Sequence, residues 1–196
     1  ARHGATVVSD EIHAPLVYPD VTFTPYLTVS DEARDHGIAA HSASKAFNLA
    51  GLKTAMFVAE GERMTELLRR LPHEVSIRTG LFGMIATREG FANGREWLDA
   101  TIAAIQANVA LLESELAAKL PAARFRRPDA SYLAWLDLRE LGLGDNPAST
   151  VLKKGRVALL PGRGFGTEGR GFSRMNIACA PEVIVEAMDR ITRAVG

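Results

Sequence analysis

The sequence predicts an α/β protein in two parts. A mostly parallel sheet covered by helices occupies residues 1–92, and a long connecting helix with a smaller α+β layer occupies 93–196. Three observations carry that expectation. Short apolar, β-branched runs alternate with helical patterns in the first half, one long periodic helix fills the middle, and strand-like runs return after it.

Thr6-Val7-Val8 reads as the first strand, ended by Ser9-Asp10-Glu11. Ile38-Ala39-Ala40 is the second, ended by His41-Ser42, and the run 55–59 is the third. Between the first two, the Pro-containing stretch 15–25 interrupts regular structure. Ser30-Asp31-Glu32 then signals a helix start, because a serine oxygen accepts from orphan amides and acids favour the positive helix end. Residues 61–71 predict a helix stopped by Pro72. From about 93 to 120, Leu98, Ile102, Ile105, Val109, Leu112 and Leu116 are spaced 4, 3, 4, 3, 4, one apolar stripe on a helix. At 1.5 Å per residue that rod is roughly 40 Å long. A coiled coil would show the same stripe, but the flanking charges are too few for a zipper, so the rod reads as a buried spine ended by Pro121. Strands are then expected at Phe125, 132–138, 157–160 and 173–177, with helices at 147–154 and 181–195. No internal repeat is present.

Composition excludes several classes of function. The chain has 196 residues, enough for one large domain or two small ones, and its 47% hydrophobic and 23% charged residues are globular proportions that exclude disorder. Lys plus Arg equals Asp plus Glu at 23 each, without the basic surplus of a nucleic-acid or anionic-membrane binder. No run approaches 18 apolar residues, and the opening Ala1-Arg2-His3-Gly4 does not read as a secretory leader. Cys179 is the single cysteine, which rules out an intramolecular disulfide and a multi-cysteine zinc site. We therefore expect a cytoplasmic protein with neither nucleic acid nor membrane as partner.

In open α/β sheets, ligands bind outside the carboxyl ends of the strands. Asp10 and Lys45 fall just after the first and second strand runs, so parallel neighbours would bring both to one rim. An arbitrary Asp and Lys there would more often be a surface ion pair; the other chemistry is a cofactor-bound lysine with an acid partner. The surrounding residues favour the second. Ser9-Asp10-Glu11-Ile12-His13, followed by Ser42-Ala43-Ser44-Lys45-Ala46-Phe47-Asn48-Leu49-Ala50-Gly51-Leu52, resembles the fold-type I pyridoxal-phosphate enzymes. Within them it is most similar to the cystathionine β-lyase-like C–S lyases of the class I/II aminotransferase group. The stretch 132–137, Pro161-Gly162-Arg163-Gly164-Phe165-Gly166 and Gly171-Phe172-Ser173-Arg174-Met175-Asn176 are similar to that group's later motifs. The four motifs stand in the family's order over essentially the whole chain.

The resemblance implies a role for each candidate. Lys45 would hold the pyridoxal 5'-phosphate aldehyde as a Schiff base and, once freed, remove the substrate's α-proton. Asp10 would pair with the pyridine nitrogen, and His13 would lie beside the phenolic oxygen; as a plain loop residue, His13 would instead cap backbone groups. Ser42 would donate to the cofactor phosphate, with Ser44 a second candidate that a simple turn would equally explain. Many aminotransferases place an arginine eight residues after the lysine, where this chain has Lys53, which keeps the charge but loses the bidentate fork. Arg174 would pair with the substrate α-carboxylate, although a strand arginine taken alone is more often a solvated ion-pair residue.

The implied reaction is β-elimination on cystathionine or another cysteine S-conjugate, in a protein that forms a homodimer. An aminotransferase would use the same residues. A non-catalytic fragment that only packs or dimerises is the third reading. The family supplies a phosphate loop, a ring-stacking aromatic and an Asn from an N-terminal part not encoded here, and places its lysine past the middle of a chain about twice as long. The chain is thus expected to be N-terminally truncated, with Ala1 a cut edge.

Four features are set aside. Gly164–Gly169 matches a dinucleotide fingerprint as text, but it runs into a strand where that fingerprint must open a helix. His36 and His41 lack neighbours at metal-ligand spacing. Arg124, Arg126 and Arg127 read as a solvated strand edge, and Cys179 as a core thiol.

Overall fold

In the computed structural model, which describes residues 2–196, the first strand is β1 (Val7–Asp10). It takes up the β-branched run but extends to Asp10, so the acid ends the strand instead of following it. Ala1, read above as a cut edge, lies outside the described residues. Two 3-10 turns, Ala14–Leu16 and Tyr26–Thr28, carry the Pro-containing stretch and bury Leu16 and Leu27. Helix α1 (Asp31–His36) begins at the expected signal: Ser30 Oγ accepts from the Ala33 amide at 3.1 Å.

Strand β2 (Gly37–His41) runs parallel to β1, with Asp10 opposite Ala40. The four-residue helix α2 (Ala43–Ala46) follows, and β3 (Met56–Val58) returns antiparallel to β2. The sheet is therefore mixed, in the order β1-β2-β3.

Helix α3 (Glu62–Arg69) stops just short of Pro72, as expected of a residue without an amide hydrogen. Helices α4 (His73–Ile77) and α5 (Leu81–Asn93) come next, and α6 (Arg95–Lys119) is the long rod. The rod starts at Arg95 because Gly94 separates it from α5, and that glycine has a packing reason. A Cβ on Gly94 would lie 2.6 Å from Phe47 Cε1, and one on Gly90 would lie 3.0 Å from Phe47 Cδ2. The Phe47 ring also meets Phe91 edge-on at 5.5 Å and lies tilted against Trp97 at 5.9 Å. This aromatic seat holds α2 against α5. On α6, Ile102, Ile105, Val109, Leu112 and Leu116 are buried and Leu98 is half-buried, the pattern of a spine.

The contacts divide the chain inside α6, into one unit ending at Ile102 and a second running from Ala103 to Gly196. The second unit holds β4 (Arg124–Phe125), β5 (Leu133–Asp137) and the helical turn α7 (Pro147–Thr150), which continues as a π turn to Gly155. Then come β6 (Leu160–Pro161), β7 (Phe172–Asn176) and α8 (Pro181–Val195). All pairings are antiparallel, in the order β4-β5-β7-β6. Of the strand expected over 157–160 only Leu160 pairs with β7, and the strand continues to Pro161; the chain before it leaves a left-handed turn at Arg156, φ 58°.

In β5 and β7 alternate residues are buried: Ala134, Leu136, Ser173 and Met175 on one face, with Trp135, Phe172 and Arg174 on the other. Helix α8 buries Ile184, Met188, Ile191 and Ala194 along one stripe. Each large side chain so buried stabilises by about 1.5–3 kcal/mol. Buried Asn108 donates from Nδ2 to the carbonyls of Ile177 and Cys179, both at 2.8 Å, satisfying the chain where β7 leads toward α8. Among the described residues, no helix is long and apolar enough to cross a membrane.

Candidate active site

The parallel register of β1 and β2 brings their carboxyl ends side by side, and the first-unit candidates follow from it. Asp10 closes β1 as an exposed carboxylate whose Oδ1 accepts from the Ile12 amide at 3.2 Å, an Asx turn that aims the chain out of the strand. His13 stands at the head of the first 3-10 turn, where its carbonyl accepts from Leu16.

Beyond β2, Ser42 caps α2 by accepting from the Ser44 amide at 3.1 Å. Ser42 is buried, and its hydroxyl donates to the Thr54 carbonyl at 2.6 Å while lying 2.8 Å from Ser44 Oγ. That ties the start of α2 to the chain entering β3. Lys45 follows on α2, half-buried, with no ion pair or hydrogen bond to its amine among the described residues. Lys53 closes the 3-10 turn Ala50–Leu52 in the left-handed region, φ 54°, and its side chain is exposed.

One residue of this rim is not singled out by its sequence. Glu11, beside Asp10, is only 4% exposed. Its Oε1 accepts from the Tyr26 amide at 2.8 Å and from Ser9 Oγ at 3.0 Å, and its Oε2 stands 3.5 Å from His41 Nε2. Its own amide donates to the Ala40 carbonyl at 2.9 Å. Glu11 thus ties the end of β1, the end of β2 and the 3-10 turn at Tyr26. The available signal is strand periodicity, which puts Ser9 and Glu11 on one side and Asp10 on the other.

Arg174 belongs to the second unit, in the middle of β7, opposite Trp135 on β5 and Leu160 on β6. Its Cζ stands 4.5 Å over the Phe165 ring, and its Nε is buried without a hydrogen-bond partner. The same face carries a second guanidinium: Arg139 lies 4.8 Å over Phe172 and grips Asp137 with two bonds of 2.8 and 2.7 Å. The hydrogen bonds from Arg139 hold the Asp137 carboxyl below the usual carboxylate range, against the opposing effect of burial.

The features set aside each have a local structural setting. Gly164–Gly169 lies in two 3-10 turns that lead into β7 and opens no helix. His36 meets Arg63 while His41 meets Glu11, and no metal-binding cluster occurs among the described residues. Arg127 pairs with Glu113, and burial pushes the Cys179 thiol up, away from nucleophilic reactivity.

A parallel strand pair thus carries an acid at one end and a lysine-bearing helical turn after the next. The family model for aminotransferase class I and II matches residues 1–191, and the chain belongs to that family. It is 41% identical over 206 residues to a Mycobacterium leprae relative, covering 98% of this chain and 50% of the relative. It is 36% identical over 200 residues to the cystathionine beta-lyase PatB of Bacillus subtilis, covering 98% and 50%. The PLP-bound C-S lyase from Staphylococcus hominis superposes with a TM-score of 0.84 at 27% identity, covering 97% of this chain and 50% of that one. The chain spans about half the length of the curated relatives it matches. The family is pyridoxal-phosphate dependent, and the donors at this rim fit the cofactor: an unengaged half-buried amine, a carboxylate and a pair of hydroxyls lie on adjoining strand ends.

Proposed function

We propose that this chain is the lysine-bearing part of a pyridoxal-phosphate-dependent carbon–sulfur lyase, cleaving cystathionine or other cysteine S-conjugates to a thiol, pyruvate and ammonia. The observation that carries this reading is the register that sets Asp10 opposite Ala40, five residues before Lys45. The identity to PatB supports the choice of lyase over transaminase.

The cofactor supplies an electron sink for the carbanion formed at the substrate's Cα. Lys45 Nζ would hold its aldehyde and, as a free amine, would accept the proton from the substrate Cα. The substrate sulfur would leave Cβ as a thiolate, and water would complete pyruvate and ammonia. Asp10 would keep the pyridine nitrogen protonated, and His13 would lie beside the phenolic oxygen. At the phosphate, Ser42 and Ser44 are the hydroxyl candidates, joined to each other at 2.8 Å with Ser42 also bonded to the Thr54 carbonyl. Lys53 adds charge there. Arg174 takes the substrate α-carboxylate.

The protein is read as a cytoplasmic homodimer that takes a sulfur amino acid as substrate.

Pyridoxal phosphate added to the protein should give a visible absorption band and a borohydride-trapped adduct at Lys45, both lost in Lys45→Ala. Cystathionine should then yield pyruvate and thiol. Amino transfer to a keto acid without thiol release would overturn the lyase in favour of an aminotransferase. Equal failure of wild type and Lys45→Ala to bind the cofactor would favour a non-catalytic fragment.

A further inference from the structure

We propose that Phe165 is a positioning residue for Arg174, seating its guanidinium so that Nε–H is a dry, uncommitted donor for a carboxylate. This deepens the reading of Arg174 as the carboxylate receptor and rests on it.

The internal comparison with Arg139 carries the inference. Both guanidiniums lie over a phenylalanine, at 4.8 Å for Arg139 on Phe172 and 4.5 Å for Arg174 on Phe165. Arg139 spends its Nε and one Nη on the Asp137 carboxylate, in the two-point geometry that arginine favours. Arg174 has the aromatic seat but no carboxylate, and its Nε is shut off from water with no acceptor. A buried donor left unpaired costs roughly what a lost hydrogen bond does, so a fold keeps one where a ligand will satisfy it. Arg139, on the 3-10 turn that follows β5, shows what satisfies such a group.

The seat itself is built. Phe165 is held edge-on by Trp135 at 5.4 Å, and Trp135 stacks on Phe172 at 5.6 Å, so one aromatic row links the two arginines. Phe165 remains 54% exposed, which is unexplained as core packing. Its loop is drawn against β7 by Gly162, where a Cβ would lie 2.7 Å from the Phe172 carbonyl oxygen. A larger residue there would lift the ring off Arg174.

The test is nitrogen-15 NMR of arginine Nε–H groups, with propionate as the probe. In the wild type, Arg174 Nε–H should exchange slowly with water and shift saturably on adding propionate; Arg174→Lys identifies the signal by removing it. Phe165→Leu, which keeps bulk and loses the π face, should speed Nε–H exchange without propionate and weaken propionate binding, each by roughly two- to fivefold. Phe165→Tyr should restore both, and the Arg139 Nε–H signal should stay put in every variant, reporting an intact sheet. Wild-type exchange and affinity in Phe165→Leu would overturn the positioning role. An Arg174 signal that ignores propionate in the wild type would instead overturn Arg174 as carboxylate receptor, while the exchange comparison still decides the role of Phe165.

Discussion

The second unit covers its apolar side chains more completely than the first, which buries Leu16, Ile38 and Met64 but leaves many others exposed. In the second, β5 and β7 alternate cleanly between buried and half-exposed residues and α8 buries its whole apolar stripe; Leu152, Leu160, Phe165 and Val183 are its exposed large apolar residues. In the first, Val8, Phe57, Val75, Ile77, Leu81, Phe82, Phe91 and Trp97 are all exposed. The candidate lysine and acid therefore sit on the unit whose hydrophobic surface is the less covered. The contrast teaches that order at the candidate rim draws on hydrogen bonds and a few aromatic contacts, here through Glu11, Ser42 and Phe47, beside a smaller apolar core.

The largest effect that should separate the units is a core truncation in the second. Met188 is fully buried, so Met188→Ala should cost about 2–5 kcal/mol in urea denaturation. A cost under about 1 kcal/mol would break the contrast. Next, the first unit should depend on its buried carboxylate. Glu11→Ala strips an acceptor from the Tyr26 amide and Ser9 hydroxyl and should cost about 1–3 kcal/mol, with Glu11→Gln less harmful because one oxygen remains.

A smaller effect is expected from pH. The Asp137 carboxyl is held below its ordinary range, chiefly by its hydrogen bonds from Arg139. A depressed carboxylate contributes stability above its unfolded pKa, about 3.9, and loses it as pH falls through the lower folded value. The Tm difference between wild type and Arg139→Gln should thus be constant above about pH 5 and shrink as pH falls below about 4. The smallest effect belongs to the exposed face of the first unit. Phe82, 78% exposed, should tolerate Phe82→Ser within about 0.5 kcal/mol, and a larger loss would show that this face is covered in solution.

How legible each part is in the sequence follows from how local its cause is. Helix α8 is readable end to end because Pro181 opens it and one apolar stripe runs through it. The stripe on α6 is equally plain, but its start depends on the Phe47 ring against Gly94, a contact across 47 residues of chain that no local pattern announces. Helix α5 carries Leu81, Phe82, Met84, Ile85 and Phe91 around its circumference, with Gly83 and Gly90 weakening its propensity, so periodicity does not betray it. Asp10 and Lys45 are found by their place after strand runs. Glu11 is not, because two adjacent acids read as solvated, and its burial depends on an amide 15 residues later. The bond that ties Ser42 to the Thr54 carbonyl is likewise invisible to local pattern.

Asn108 adds a consequence in time. Its amide bonds the Ile177 and Cys179 carbonyls, 69 and 71 residues further along. Closing so long a loop carries an entropic cost that must be met before those bonds can form. Helix α6 can wind as soon as its own residues are available, since its bonds are local, whereas the link from β7 toward α8 must wait for nearly the whole second unit. During synthesis, Asn108 is thus a polar group exposed on a ready-made helix until the last strand arrives to claim it.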